Sequence, residues 1–92
     1  MDLRLCVISC VDSVGTNFLA GFHFMTFGHK FYFSGSLNDA FKINIKYVQA
    51  VLDLCRIYYP DKTFSVYEVS VSCKEPLHIL GVLDLSRPAD KR

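Results

Sequence analysis

Cys6, Cys10, Cys55 and Cys73 are the residues best suited to covalent or metal chemistry, and their spacing decides between disulfide, zinc site and packed thiol. If Cys6 and Cys10 share a strand, a rise of about 3.3 Å per residue puts their Cα atoms ~13 Å apart. That is beyond the ~7 Å limit for a disulfide. It also keeps them from one tetrahedral zinc with bonds of ~2.3 Å, and the chain contains no C-x2-C pair. Four positions apart on a strand they share a face, where free cysteine packs as a small apolar side chain. Buried thiols are therefore preferred over a long-range disulfide or a redox role. His23 lies among Phe22, Phe24 and Met25, and a catalytic base there would need an orienting carboxylate that the sequence does not place. A packed or edge histidine is expected. His29, in a Gly28-His29-Lys30 turn, reads as a solvated loop residue, and His78 near Cys73 supplies two ligands where a metal site needs more. No G-x-x-x-x-G-K-[ST], G-x-G-x-x-G or G-x-S-x-G motif occurs. No catalytic residue, metal or cofactor is expected, and the protein reads as a non-enzyme.

Lys42, Lys46 and Arg56 could meet phosphates, with Tyr32 or Phe33 available for stacking. Asp39 and Asp53 interrupt that basic stripe, and a net charge of +1 creates no field that would draw nucleic acid or an anionic membrane. The more prominent feature is eight Phe and five Tyr in 92 residues, more than one helix and a small sheet obviously need to hide. Aromatic side chains carry much of the energy of protein interfaces. Phe27, at the end of the second strand, and Phe31, Tyr32 and Phe33, on a short third strand with an unpaired edge, are the candidate partner-binding residues. The competing reading is that these rings fill the core between sheet and helix.

The elements that would position these residues follow from periodicity. Leu3 to Val11 is apolar on both alternations, as in a central strand covered on both faces. Asp12-Ser13-Val14-Gly15-Thr16-Asn17 supplies a turn, Phe18 to Phe27 a second strand, and Lys30 to Ser34 a third, giving an antiparallel meander. Phe41, Ile45, Val48, Leu52, Cys55 and Tyr59 recur at helical spacing, and Lys42, Lys46, Gln49, Asp53 and Arg56 repeat it on the opposite side. Capping by Ser36 or Asn38 and termination before Pro60 predict one long amphipathic helix from Ser36 to Tyr59. Its roughly 20 residues would span ~30 Å. Thr63 to Cys73 follows as a fourth strand, expected beside and parallel to the first through a right-handed crossover. Glu75-Pro76 can open a short C-terminal helix over 76–85, while Leu77 to Leu85 with Gly81 reads equally as a strand; the helix is preferred. Residues 87–92 form a polar tail expected to fray.

This order of elements resembles the first part of the ribonuclease H-like fold over about residues 3 to 85. The resemblance lies in element order and connection lengths. Ribonuclease H enzymes hold two magnesium ions with acids in the first strand, in the long helix and at the end of the fourth strand. Here those positions fall near Cys10, Lys46 and Glu68, with Asp12 able to replace the first if the register shifts. Lys46 cannot hold a cation, so the resemblance implies an inactive relative. A similar element order occurs in a two-layer fold of one of the ribosomal proteins.

One small α/β domain over residues 1–92 is thus expected, because a chain of this length builds a single hydrophobic core. An apolar share of 51% predicts that it folds. No run approaches the ~20 apolar residues needed to span a bilayer, and Leu3 to Val11 lacks a basic leader and a cleavage site. A cytoplasmic protein without membrane contact is expected. The functional expectation is a protein-interaction module, a small adaptor or inhibitor able to form a homodimer through aromatics or a sheet edge. The alternative is a nucleic-acid-associated protein with a degenerate nuclease fold.

Overall fold

The computed structural model describes residues 4–26, 28–70 and 77–83. Its centre is β1 (Leu5–Val11), whose doubly apolar sequence is buried on both faces: Cys6, Val7, Ile8, Ser9 and Cys10 are all inaccessible to solvent. β2 (Thr16–Met25) and β3 (Gly28–Ser34) follow, then a 3-10 turn at Leu37–Asp39 and the two-residue strand β4 (Ile43–Asn44). The helix α1 (Ile45–Tyr58) leads to β5 (Thr63–Ser70) and β6 (His78–Leu83). All pairings are antiparallel, in the order β3-β2-β1-β5-β6. One edge of β1 pairs with β5 from Leu5↔Val69 to Val11↔Thr63. Its other edge is shared between β2 at Ser9, Cys10 and Val11 and β4 at Leu5 and Cys6.

That shared edge explains how the chain moves between layers. Beyond Phe18, β2 no longer pairs with β1, and a bulge between Leu19 and Gly21 turns it away together with β3. β4 fills the stretch so vacated. The segment before β4 packs on one face of the sheet, where Ala40 and Leu37 meet Val7, Val69 and Phe18. The helix after β4 packs on the other, where Val48, Val51, Leu52 and Cys55 meet Cys6, Ile8, Cys10, Phe64 and Val66. β4 therefore carries the chain through the plane of the sheet.

Three expectations from sequence are corrected here. Among the described residues the chain is mostly antiparallel sheet with one α-helix, and the strand after the helix, β5, runs antiparallel to β1 rather than parallel. The reason is the number of passes across the sheet. A helix beginning at Ser36 would leave the top of β3 and descend, so that the next strand would rise alongside β1. Instead Leu37–Asn44 makes the descent, with Asn44 ending beside Leu5. The helix then rises, held at its start by Ile45 N–H donating to Arg4 carbonyl oxygen at 2.9 Å, and β5 must descend. The helix start is the second correction: Asn44 is the cap, its side-chain oxygen accepting from Lys46 N–H at 3.0 Å, whereas Ser36 makes no side-chain cap. Fourteen residues give about 21 Å, close to the ~20 Å length of β1. Third, 78–83 is strand β6 and not part of a helix over 76–85. A glycine inside a helix costs about 1 kcal/mol, and the branched side chains of Ile79 and Val82 favour a strand against the available edge of β5.

The turns are set by local chemistry. Asp12 Oδ1 accepts from the N–H groups of Val14 and Gly15 at 2.8 and 3.2 Å, and Gly15 has φ of 149°, a conformation that L side chains rarely adopt. Asp12 Oδ2 also pairs with Lys62 Nζ at 3.0 Å, tying this turn to the one before β5. Between β2 and β3, Met25 pairs with Gly28, whose φ is 137°, so β3 begins two positions earlier than expected and the backbone of His29 and Lys30 belongs to it.

The Lys62 hydrogen bond, followed by the two backbone N–H groups, holds the Asp12 carboxyl below its ordinary range. A depressed acid stabilises the fold above its unfolded pKa of about 3.9 and loses that contribution as pH falls through the folded value. Asp12→Asn keeps the turn acceptor and removes the charge. Urea midpoints measured from pH 7 down to pH 2 are expected to fall less steeply for Asp12→Asn than for the parent protein. Parallel acid limbs would show that the ion pair contributes nothing.

Candidate interaction surface

The residues that could do chemistry do not converge. Cys6 and Cys10 on β1 and Cys55 on α1 are free thiols buried in the core between sheet and helix; Cys73 lies outside the described residues. Burial, with a smaller contribution from nearby Cys10, pushes the Cys55 thiol up to about 12. At pH 8 its thiolate is therefore about one part in ten thousand. Iodoacetamide labelling at Cys55, followed by mass spectrometry, is expected to be slow in buffer and to rise only with global unfolding in denaturant. Rapid labelling of the folded protein would contradict this packing.

Asp12 and Glu68, the two acids singled out from sequence, stand at opposite ends of the β1/β5 pair. Glu68 lies opposite Cys6, and Asp12 follows Val11, a separation of ~20 Å along the strand that one metal cluster cannot bridge. Each has a cation of its own: Glu68 accepts two hydrogen bonds from Arg4, at 2.6 and 2.8 Å, which hold its carboxyl below its ordinary range. Among the described residues no three His, Cys, Asp or Glu side chains gather as metal ligands. His23 lies on the outer face of the β2/β3 hairpin, exposed, with Nδ1 at 3.4 Å from Tyr32 Oη. Lys30 Nζ sits 5.7 Å from the centre of the Tyr32 ring.

The basic residues are dispersed. Lys42 and Lys46 are exposed near the start of α1, with Lys46 Nζ 5.8 Å from the Tyr47 ring centre, and Arg56 is half-buried in the last turn. Ten positions separate Lys46 from Arg56, ~15 Å along the axis. Between them Gln49 donates to Asp53 Oδ1 at 2.8 Å, so a carboxylate stands inside the stripe.

The candidate partner-binding aromatics also part company. Phe31 is buried, 5.8 Å from Phe22, 5.7 Å from Tyr58 and 5.6 Å from Tyr59. Phe33 packs edge-on against Tyr59 at 5.6 Å. Strand alternation sends Tyr32 to the opposite face, where it is partly exposed, and Phe27 lies outside the described residues. The ring cluster joins the β2/β3 hairpin to the end of α1, which is where much of the aromatic excess goes.

Two apolar surfaces were not anticipated. On α1, Tyr47, Ala50, Leu54 and Ile57 form a second line at spacings of three and four; Tyr47 and Ile57 are 60% and 68% exposed, while Leu54 is partly buried against the core. This line is visible in the sequence once the helix start is set at Ile45, and the buried stripe masks it. The other is β6. Its residues Ile79, Leu80 and Val82 are 43%, 65% and 63% exposed, and among the described residues it pairs with β5 alone. Monomeric sheets guard such edges with charges, prolines or very short strands. β3, at the far edge, carries Lys30. β6 is six residues long, HILGVL, without a lysine, arginine, acid or proline.

No helix among the described residues is long and apolar enough to cross a membrane. No protein-family model, curated protein or solved structure matches the chain.

Proposed function

We propose that the protein is a non-enzymatic interaction module that takes up an extended, apolar stretch of polypeptide along the edge of β6 that no other described strand covers. The observation that supports this is a single one: an edge strand six residues long, exposed throughout most of its length, with no charge to repel a neighbour. Strand addition uses the unpaired N–H and C=O groups for affinity and alternate side-chain positions for selectivity. Ile79, Leu80 and Val82 supply the apolar contacts. The dispersion of Lys42, Lys46 and Arg56 gives the nucleic-acid alternative no comparable support.

Selection from a random decapeptide library is expected to enrich uncharged, β-branched sequences. Val82→Lys, which places a charge at an exposed position, should weaken the selected peptides at least about tenfold, or about 1.4 kcal/mol. If a parent protein that sediments as a monomer enriches nothing, or if Val82→Lys binds the same peptides equally well, the edge is not the binding surface.

A further inference from the structure

We infer that the polypeptide received by this edge is β6 of a second copy of the chain, paired antiparallel about a two-fold axis between Leu80 and Gly81. The inference rests on the strand-addition reading of β6 and names its partner. Three features of the strand carry the choice.

The first is charge. In a two-fold strand pair the same short sequence faces itself, so a charge near the axis is brought close to its like on the other strand. His78-Ile79-Leu80-Gly81-Val82-Leu83 contains no Lys, Arg, Asp or Glu and satisfies that requirement without a compensating group. β3, the opposite edge, would set Lys30 near Lys30.

The second is register. Glu68 pairs with Gly81 and Val69 with Ile79, so Leu80 is an extra residue in a bulge. The extra residue restores the phase of the strand. Ile79 and Val82, three positions apart, consequently point to the same face, that of their partners Val69 and Tyr67. With the axis between Leu80 and Gly81, Ile79 of one copy stands directly opposite Val82 of the other. The two-fold repeats that pair, giving four branched apolar side chains in one row. A shift by one residue would break both pairs.

The third is space. The same register sets Leu80 of each copy against Gly81 of the other. A Cβ built on Gly81 meets nothing within 4 Å, so the bulged leucine has room to lie across the backbone of the second copy. The product is one continuous sheet in which the β6 edges close each other.

The register is the part that can be measured most sharply. Opposed residues have Cα atoms about 5 Å apart, suited to a disulfide, whereas residues 79 and 79 of the two copies would be offset by three positions, ~10 Å. Mixed Ile79→Cys and Val82→Cys chains, oxidised with diamide and peptide-mapped, should give the 79–82 disulfide in at least about tenfold excess over 79–79 and 82–82. In sedimentation velocity the parent protein should run at twice the mass of one chain. Val82→Lys and Leu80→Lys should run as monomers with unchanged circular dichroism. Equal yields of the three disulfides would overturn the register, and a monomeric parent at millimolar concentration would overturn the second copy. A monomer that still enriches library peptides would leave the strand-addition reading standing; a monomer that enriches none would end both.

Discussion

Phe31→Ala is expected to lower the melting temperature by at least about 12 °C. Removing a buried phenylalanine costs about 3–5 kcal/mol, and each kcal/mol corresponds to roughly 4–8 °C in a domain of this size. Phe31 is the ring shared by the hairpin and the helix end, in contact with Phe22, Tyr58 and Tyr59. Offset and edge-on ring pairs add about 0.5–1.5 kcal/mol each beyond their buried area, which places the effect toward the upper part of that range. The measurement is a thermal scan by circular dichroism. A shift below about 2 °C would mean that Phe31 does not hold the hairpin to the helix, and would return it to the list of surface residues.

The second large effect contrasts two sides of α1. Leu52→Ala should cost about 2–5 kcal/mol, because Leu52 is 1% exposed among Ile8, Cys55, Val66 and the other members of the helix-facing core. Against a total stability of about 5–15 kcal/mol, that is a large fraction of the fold. Ile57→Ala, five positions along the same helix but 68% exposed, should stay within about 0.5 kcal/mol. Urea denaturation of the two variants reads the difference directly. Comparable losses at both positions would show that the helix is rotated from this orientation, and that Tyr47 and Ile57 are covered.

How much of this was legible in the sequence depends on whether a residue pattern has one structural solution. Doubly apolar Leu5–Val11 has one, a central strand, and Cys6 and Cys10 share its helix-facing side as their spacing required. The helical repeat of Val48, Leu52 and Cys55 also has one. Its beginning does not: Phe41 fits the repeat, but Ile43 is needed as a strand residue beside Cys6, and Asn44 offers a better cap than Ser36. Direction of β5 depended on that boundary, since a single additional pass reverses every later strand. For β6, a short apolar segment with a central glycine is locally ambiguous, and the open edge of β5 decides it. Aromatic count misled in another way. Phe31 and Tyr32 are neighbours in sequence yet lie on opposite faces of β3, so richness in rings said little about which ones reach solvent.

The position of β1 has a consequence for how the chain assembles. β2 follows β1 after a short turn, but β4 and β5 arrive from distant parts of the polypeptide, and Arg4 meets Glu68 across 64 positions. Contacts so remote require large loops to close before any reward is gathered, which places folding in the millisecond-to-second regime typical of β-rich domains. During synthesis the whole β5-facing side of β1 waits until residues 63–69 have emerged. A fragment ending before residue 63 would therefore expose an oily, uncharged template, Cys6 to Val11, and would be trapped by other nascent chains instead of forming a smaller stable unit.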